Sequence, residues 1–437
     1  MNIGRFTKNL VDSIADAGEK FLDLRRVRGR SINNLLNLCD DLISHKGVAS
    51  GIALAREVIK RYKALENKEK LAFFQELNRR MTPDLKMIKT SAEAFINKPD
   101  ERTLAMLSEQ MKSNRRKLFS RMIIAPDGTQ EIVSMREDLL GLLKDHPELR
   151  PVDEDLKNLL TSWFNPGFLI LRKIDWDTEA SILEKIIRYE AVHDIENWND
   201  LKKRLAADRR CFAYFHPSLE DEPLIFVEVA LTRGISSSIQ SIISEESRLN
   251  GEADTAIFYS INNCQRGLWK IPLGNFLIKM VVTELDTELP SVKTYSTLSP
   301  VPGFTAWLRQ EMEKSGSKLI PQKDLEALKL LQDENWYRDE AKSEALKKPL
   351  LRACANYLVL VKRGGKPLNS VARFHFGNGA QLYRINWMGN NSSHGLAESF
   401  GLMVNYLYDL KQIERNHEQY VQRGELAISK SVRSLVG

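Results

Sequence analysis

TAIFYSINNCQRGLWKIPLGNFLIKMVVTELDTELPSVKTYST, residues 255–297, is the stretch on which the fold of the second half of the chain turns. Residues 255–263 are rich in β-branched and aromatic side chains and read as a strand. CQRGLWKIPLG, residues 264–274, carries two glycines and a proline and reads as a loop. NFLIKMVVTELDTEL has the apolar spacing of a long amphipathic helix, and VKTYST is the next strand. A strand, a glycine loop and a helix start make an anion site, because unpaired backbone N–H groups and the positive helix end converge there. Arg266 and Lys270 add positive charge; the plainer reading of the same residues is a basic surface turn.

Before residue 255, GFLILRKIDW reads as a strand, ASILEKIIRYEAV and DLKKRLAAD as helices, and RCFAYFHP and PLIFVEVAL as an antiparallel pair joined by a polar turn. PGFTAWLRQEM follows residue 300 as a helix. Beyond residue 320, DLEALKLLQDENW and LLRACANYLVL are helical. VARFHFGNGAQLYRINW reads as two strands about a Gly377-Asn378-Gly379 turn, with His375 on the face opposite Phe374 and Phe376. The sum is a mixed sheet covered by helices.

Residues 1 to about 150 are helical throughout. Leu54, Val58, Tyr62 and Leu65 share one face, as do Leu71, Phe74 and Leu77, and Thr82-Pro83-Asp84 reads as a helix start with Thr82 as its cap. Prolines and clustered charge in HPELRPVDED, residues 146–155, mark a boundary. Such a module suits packing within itself or against another subunit.

At 437 residues the chain is long enough for two domains, and its 43% apolar content supplies a sizeable core. Sixty-four basic and 58 acidic side chains leave a mild +6, which calls for no nucleic acid and suits a ligand with a few anionic groups. Cys39, Cys211, Cys264 and Cys354 lie far apart without a CxxC pair, so they read as reduced thiols of a cytoplasmic protein rather than as disulfides or zinc ligands. No apolar run approaches the roughly 20 residues that span a bilayer. Asp12, Asp16, Glu19 and Asp23 in the first segment argue against a transit peptide.

VKTYSTLSPVPGFTAW, residues 292–307, presents Ser299 just before Pro300 and a helix. Locally this is the pattern of an N-cap, with proline at the first helical position. The element order from residue 255 resembles the GNAT acyltransferase superfold, whose loop holds the pyrophosphate of coenzyme A. QRGLWKIPLG is longer than the usual (Gln/Arg)-x-x-Gly-x-(Gly/Ala) fingerprint.

Three longer strings are more specific. FYSINNCQRGLWKIPLGNFLIKMVVTEL, YSTLSPVPGFTAWL and VARFHFGNGAQLYRINW, with GLMVNY downstream, resemble the malonyl-CoA decarboxylase family in order and spacing. The resemblance is close over residues 165–410 and extends to the helical first part through architecture. It implies an α+β fold: a helical oligomerisation domain over residues 1–155, then a GNAT-like mixed-sheet catalytic domain over 156–437. It implies metal-free conversion of malonyl-CoA to acetyl-CoA and CO2, a homo-oligomer, tetrameric in the family, and neither nucleic acid nor membrane as partner.

The family's Leu-Ser-Pro serine corresponds to Ser299 and its Phe-His histidine to His375. Tyr408 aligns with a tyrosine near the family's active site; by itself it reads as an aromatic on an amphipathic helix. The CoA-binding loop corresponds to Gly267, Trp269, Lys270, Ile271, Pro272, Leu273, Gly274 and Asn275. Some family members carry an acid where Pro272 stands, so a role for that acid does not transfer. A histidine suits the reaction because its ordinary pKa, about 6.5, keeps a proton at hand for the carbanion or enolate left at C2. A serine hydroxyl can bond the departing carboxylate. The thioester is the electron sink, and no metal-ligand motif is present. An acyl-CoA N-acyltransferase and a non-catalytic CoA-binding scaffold would use the same loop.

Overall fold

The computed structural model describes residues 3–20, 31–219, 221–243, 252–271, 273, 277–314 and 317–437. The chain forms two compact units. One comprises residues 1–170 with 215–224 and 264–273; the other comprises 171–214, 225–263 and 274–437.

The first unit contains nine helices among the described residues: α1 (Ile3–Glu19), α2 (Ile32–Ser44), α3 (Val48–Lys63), α4 (Asn67–Arg80), α5 (Leu85–Asn97), α6 (Glu101–Gln110), α7 (Asn114–Met122), α8 (Gly128–Leu142) and α9 (Arg150–Trp163). Leu54, Val58 and Tyr62 of α3 are buried with Phe73, Phe74 and Leu77 of α4. The Tyr62 ring lies 5.3 Å from Phe73 and 6.0 Å from Phe74, so the apolar period of each helix becomes one shared core. Asp84, not Thr82, caps α5: its carboxylate accepts from the N–H groups of Lys86 and Met87, where a negative charge also suits the positive helix end.

The second unit begins with β1 (Ile170–Ile174), α10 (Ala180–Tyr189), α11 (Trp198–Arg204), β2 (Arg209–Phe215), β3 (Ile225–Thr232), α12 (Gln240–Ile243) and β4 (Thr255–Asn263). It continues with α13 (Leu277–Glu288), β5 (Thr294–Thr297), β6 (Ser299–Pro300), α14 (Phe304–Met312), α15 (Gln322–Leu328) and α16 (Glu340–Val359). A two-stranded turn of β7 (Lys362–Arg363) and β8 (Lys366–Pro367) precedes α17 (Ser370–Gly377), β9 (Gln381–Asn386), α18 (Ser393–Ser399), β10 (Met403–Leu407), α19 (Ile413–Arg423) and α20 (Lys430–Arg433).

The main sheet runs β1-β2-β3-β4-β5-β10-β6, with β9 also on β10. The expected β2–β3 pair is antiparallel, with Cys211 opposite Glu228. β4 and β5, joined through α13, are parallel from Thr255 opposite Thr294 to Phe258 opposite Thr297. A parallel pair needs such a crossover, so the element order of residues 255–297 sets this part of the sheet. β4 runs on to Asn263, past the end of its pairing with β5.

Three local expectations fail here. Ser299 does not cap a helix: it pairs with Val404 as a strand residue, and Gly303 at φ +77° is the N-cap of α14. Pro300 and Pro302 lack N–H groups, and the chain turns only at the glycine, whose missing Cβ tolerates the left-handed conformation. His375 lies on helix α17, not on a strand. The Asn369 side chain accepts from the Ala372 N–H at 2.8 Å, and Ala372, His375 and Phe376 form its buried face at helical spacing. The alternation of Phe374 and Phe376 imitates a strand over too few residues to decide. Tyr408 directly follows strand β10 and donates its N–H to Tyr295 O at 2.8 Å, so it is not on a helix.

Candidate active site

Ser299 from the sheet, His375 from α17 and Tyr408 from the end of β10 meet in the second unit. Ser299 Oγ lies 3.2 Å from His375 Nε2, and His375 Nδ1 lies 2.8 Å from the Tyr408 hydroxyl. The Tyr406 ring stacks on the imidazole, with centroids 4.4 Å apart and planes at 23°, and the Phe258 ring lies 6.5 Å from that of Tyr408. All three side chains are buried, His375 and Tyr408 almost completely and Ser299 to 6% exposure.

This burial changes the expected chemistry of the imidazole. Loss of hydration pushes the His375 pKa down from its ordinary 6.5 to about 3, so the ring is neutral at physiological pH rather than a ready imidazolium. Burial likewise pushes the Tyr408 phenol well above its ordinary range, with Tyr406 adding to the effect. A neutral imidazole carries one proton, on one nitrogen. The Ser299 hydroxyl is directed at Thr297 Oγ1, so toward the ring Ser299 Oγ accepts: Nε2 carries the proton, and Nδ1 accepts from Tyr408.

The proposed CoA-loop residues lie elsewhere in the chain's organisation. Gly267, Trp269, Lys270 and Ile271, with Leu273, belong to the first unit; Pro272, Gly274 and Asn275 lie outside the described residues. Residues 266–268 form a 3-10 turn, and Leu268, Ile271 and Leu273 are anchored in the helical core. A Cβ on Gly267 would sit 2.0 Å from Val133 O of α8, so only glycine fits there. Buried Arg136 of α8 donates from one terminal nitrogen to Gly267 O at 2.7 Å and Trp269 O at 3.0 Å, while its Nε donates to Asp153 at 2.8 Å. Lys270 has φ +63°, and its ammonium lies 4.0 Å from the centroid of the exposed Trp269 ring.

Sequence reasoning brought Ser299, His375 and Tyr408 to one place but overlooked their neighbours. Thr297 Oγ1 accepts from Ser299 Oγ at 2.8 Å, and Tyr406 covers the imidazole. Thr297 stood in the same quoted string, two residues from Ser299. Arg136 stood in a helix with nothing in its surroundings to distinguish it. Among the described residues, no group of three or more His, Cys, Asp or Glu is placed to hold a metal ion. Among the same residues, no helix is long and apolar enough to cross a membrane.

The comparisons with known proteins agree in direction. The family model for the malonyl-CoA decarboxylase C-terminal domain matches residues 167–437, and that for its N-terminal domain matches residues 81–164. The chain is 41% identical over 347 residues to a mitochondrial malonyl-CoA decarboxylase of Anser anser anser, covering 74% of this chain and 69% of that protein. It is 39% identical over 347 residues to the mitochondrial enzyme of Rattus norvegicus, covering 74% and 70%. The crystal structure of a malonyl-CoA decarboxylase from Rhodopseudomonas palustris superposes with TM-score 0.89 at 46% identity, over 92% of this chain and 99% of that one. One from Agrobacterium vitis gives 0.87 at 44% identity, over 92% and 100%.

Proposed function

The chain belongs to the malonyl-CoA decarboxylase family, and we propose that it converts malonyl-CoA to acetyl-CoA and CO2 through Ser299, His375 and Tyr408. The observation that carries this assignment is the unbroken line of contacts from the Tyr408 phenol through the His375 imidazole to the Ser299 hydroxyl. Loss of CO2 leaves an electron pair on C2, shared with the thioester oxygen. A thioester enolate is a stronger base than an alkoxide, so a neutral hydroxyl suffices as its acid. Ser299 delivers its proton to C2 while His375 passes the Nε2 proton to Oγ and takes one from Tyr408 at Nδ1. Water then restores the phenol, and the turnover consumes one proton, as conversion of a carboxylate to CO2 requires. Apolar neighbours such as Phe258 favour a step in which a localised carboxylate charge disperses. The thioester serves as the electron sink, so no step is routed through a metal.

We assign the CoA phosphates to residues 269–275. The support is the exposed Trp269 and Lys270 on a loop whose shape is held by Gly267 and Arg136. We assign oligomer contacts, in a homo-tetramer, to the helical domain of residues 1–155. In its favour, α5 and α6 bury only Ser91 between them and leave Leu85, Met87, Ile96, Leu104 and Met106 exposed. Dispersed, buried cysteines fit a reducing compartment, and the cytoplasm is the one we assign.

The purified protein supplied with malonyl-CoA should release CO2 and acetyl-CoA in equal amounts. Consumption of an added amine with release of CoA would make it an N-acyltransferase, and tight CoA binding without turnover would make it a scaffold.

A further inference from the structure

β10 faces β5 and β6 in one register, Leu407 opposite Ser296, then Val404 opposite Ser299 and Met403 opposite Pro300. Between these points the ladder opens. On its other edge, β10 shifts register against β9 between Asn405 and Tyr406. Such irregularities re-aim side chains beside reactive sites. Here side chains replace the missing ladder bonds. Tyr406 N–H donates to Thr297 Oγ1 at 3.1 Å, and Asn405 Nδ2 donates to Thr297 O at 2.7 Å. Asn405 is itself held, its Oδ1 accepting from Asn386 Nδ2 at 2.9 Å and Arg384 Nε at 3.1 Å. Thr297, with no exposed surface, is therefore fixed at both its carbonyl and its hydroxyl oxygen.

The second lone pair of Thr297 Oγ1 receives the Ser299 hydroxyl at 2.8 Å. That bond decides where the one proton of Ser299 rests. Held by Thr297, it is kept off His375 Nε2, which must then carry its own proton and direct it at Ser299 Oγ. Without Thr297 Oγ1, the nearest acceptor is Nε2 at 3.2 Å; the imidazole would have to move its proton to Nδ1, and the line of donors would reverse. In a reversed line His375 is a base toward Ser299 instead of the group that resupplies it.

We infer that Thr297 is a positioning residue that sets the direction of the proton line, keeping Ser299 a donor backed by His375. The inference rests on the assignment of Ser299 and His375 as the reacting pair. It needs no new group: the Ser299 proton goes to C2, the Nε2 proton to Oγ, and every bond broken is matched by one formed.

The test compares Thr297→Val, which keeps the branched shape and removes the acceptor, with Thr297→Ser, which restores it, and with Ser299→Ala. Loss of one buried hydrogen bond at the reacting hydroxyl corresponds to a fall in kcat of about 10- to 100-fold for Thr297→Val, with KM for malonyl-CoA within about twofold. Thr297→Ser should return to within about threefold of the parent. Nitrogen-15 NMR of the His375 ring should find the proton on Nε2 in the parent and in Thr297→Ser, and on Nδ1 in Thr297→Val. Should the valine variant not fold, Thr297→Cys, whose sulfur is a weak acceptor, takes its place with the same expectations. Parent-like kcat and an unmoved ring proton in the valine or cysteine variant, beside an inactive Ser299→Ala, would overturn the role of Thr297 and leave the assignment of the pair intact. Full activity of Ser299→Ala would instead remove the pair itself.

Discussion

Two buried polar clusters occupy the second unit, and they are built on opposite principles. Thr297, Ser299, His375 and Tyr408 are neutral groups joined in a line. Glu190, Arg204 and Glu228 form a charged knot around β3 and β4: Arg204 donates to Glu228 at 2.9 Å, and Glu190 accepts from Ser260, Asn262 and the N–H groups of Val192 and His193. Burial pushes the Glu228 carboxyl up to about 8, with Glu190 adding to the rise and Arg204 opposing it. Moving a proton at Glu228 changes the charge paired with the Arg204 guanidinium, whereas along the neutral line it requires only that each member give one proton and take another. The first arrangement suits holding a fold and the second suits a reaction that must deliver a proton.

Substitutions should separate these roles. The largest effect expected is His375→Asn, which should lower kcat by about 10²- to 10⁴-fold, the range for a lost proton-transfer group, with little change in melting temperature. An equal loss on disrupting the charged knot would erase the distinction. Next, Arg204→Met leaves the buried Glu228 carboxyl without its cation and should cost about 3–5 kcal/mol in denaturant unfolding, while the folded fraction turns over at the parent rate. Arg136 lies in neither cluster, and its replacement by Met should act on substrate binding alone. It frees the carbonyls of Gly267 and Trp269, and should raise KM for malonyl-CoA by about 5- to 100-fold while kcat holds.

The smallest effect expected is on pH dependence. His375 binds its proton with a pKa of about 3 when folded, against an ordinary 6.5. Between those values the unfolded chain holds more protons, so stability rises with pH through that window, is complete above it and is lost as pH falls toward 3. Burial lowers His193, to about 4, and His216 as well, and both act in the same direction. His375→Asn should therefore flatten, without abolishing, the fall in melting temperature between pH 6 and pH 4. An unchanged slope would show that the imidazole is hydrated.

Much of this was legible in the chain itself. The period of residues 277–288 and the strand character on either side require a crossover, and the parallel β4–β5 pair follows from them. Ser299 was visible as a hydroxyl at a strand end, although two prolines and a glycine disguised it as a cap. His375 was found by resemblance and set on the wrong element, because two phenylalanines outweighed the capping Asn369. What stayed hidden is non-local. The partner of the Thr297 hydroxyl is a backbone N–H 109 residues away, and Arg136 reaches a carbonyl 131 residues away. The low pKa of His375 comes from burial, which no neighbour in sequence reveals.

Whether Ser299 reacts or only caps is decided by the turnover of malonyl-CoA by Ser299→Ala, measured as CO2 released alongside the melting temperature of the same sample. The expected variant melts within a few degrees of the parent, because α14 is capped by Gly303, and its kcat is lower by about 10²- to 10³-fold. A variant that is destabilised yet turns over at the parent rate would contradict a reacting Ser299.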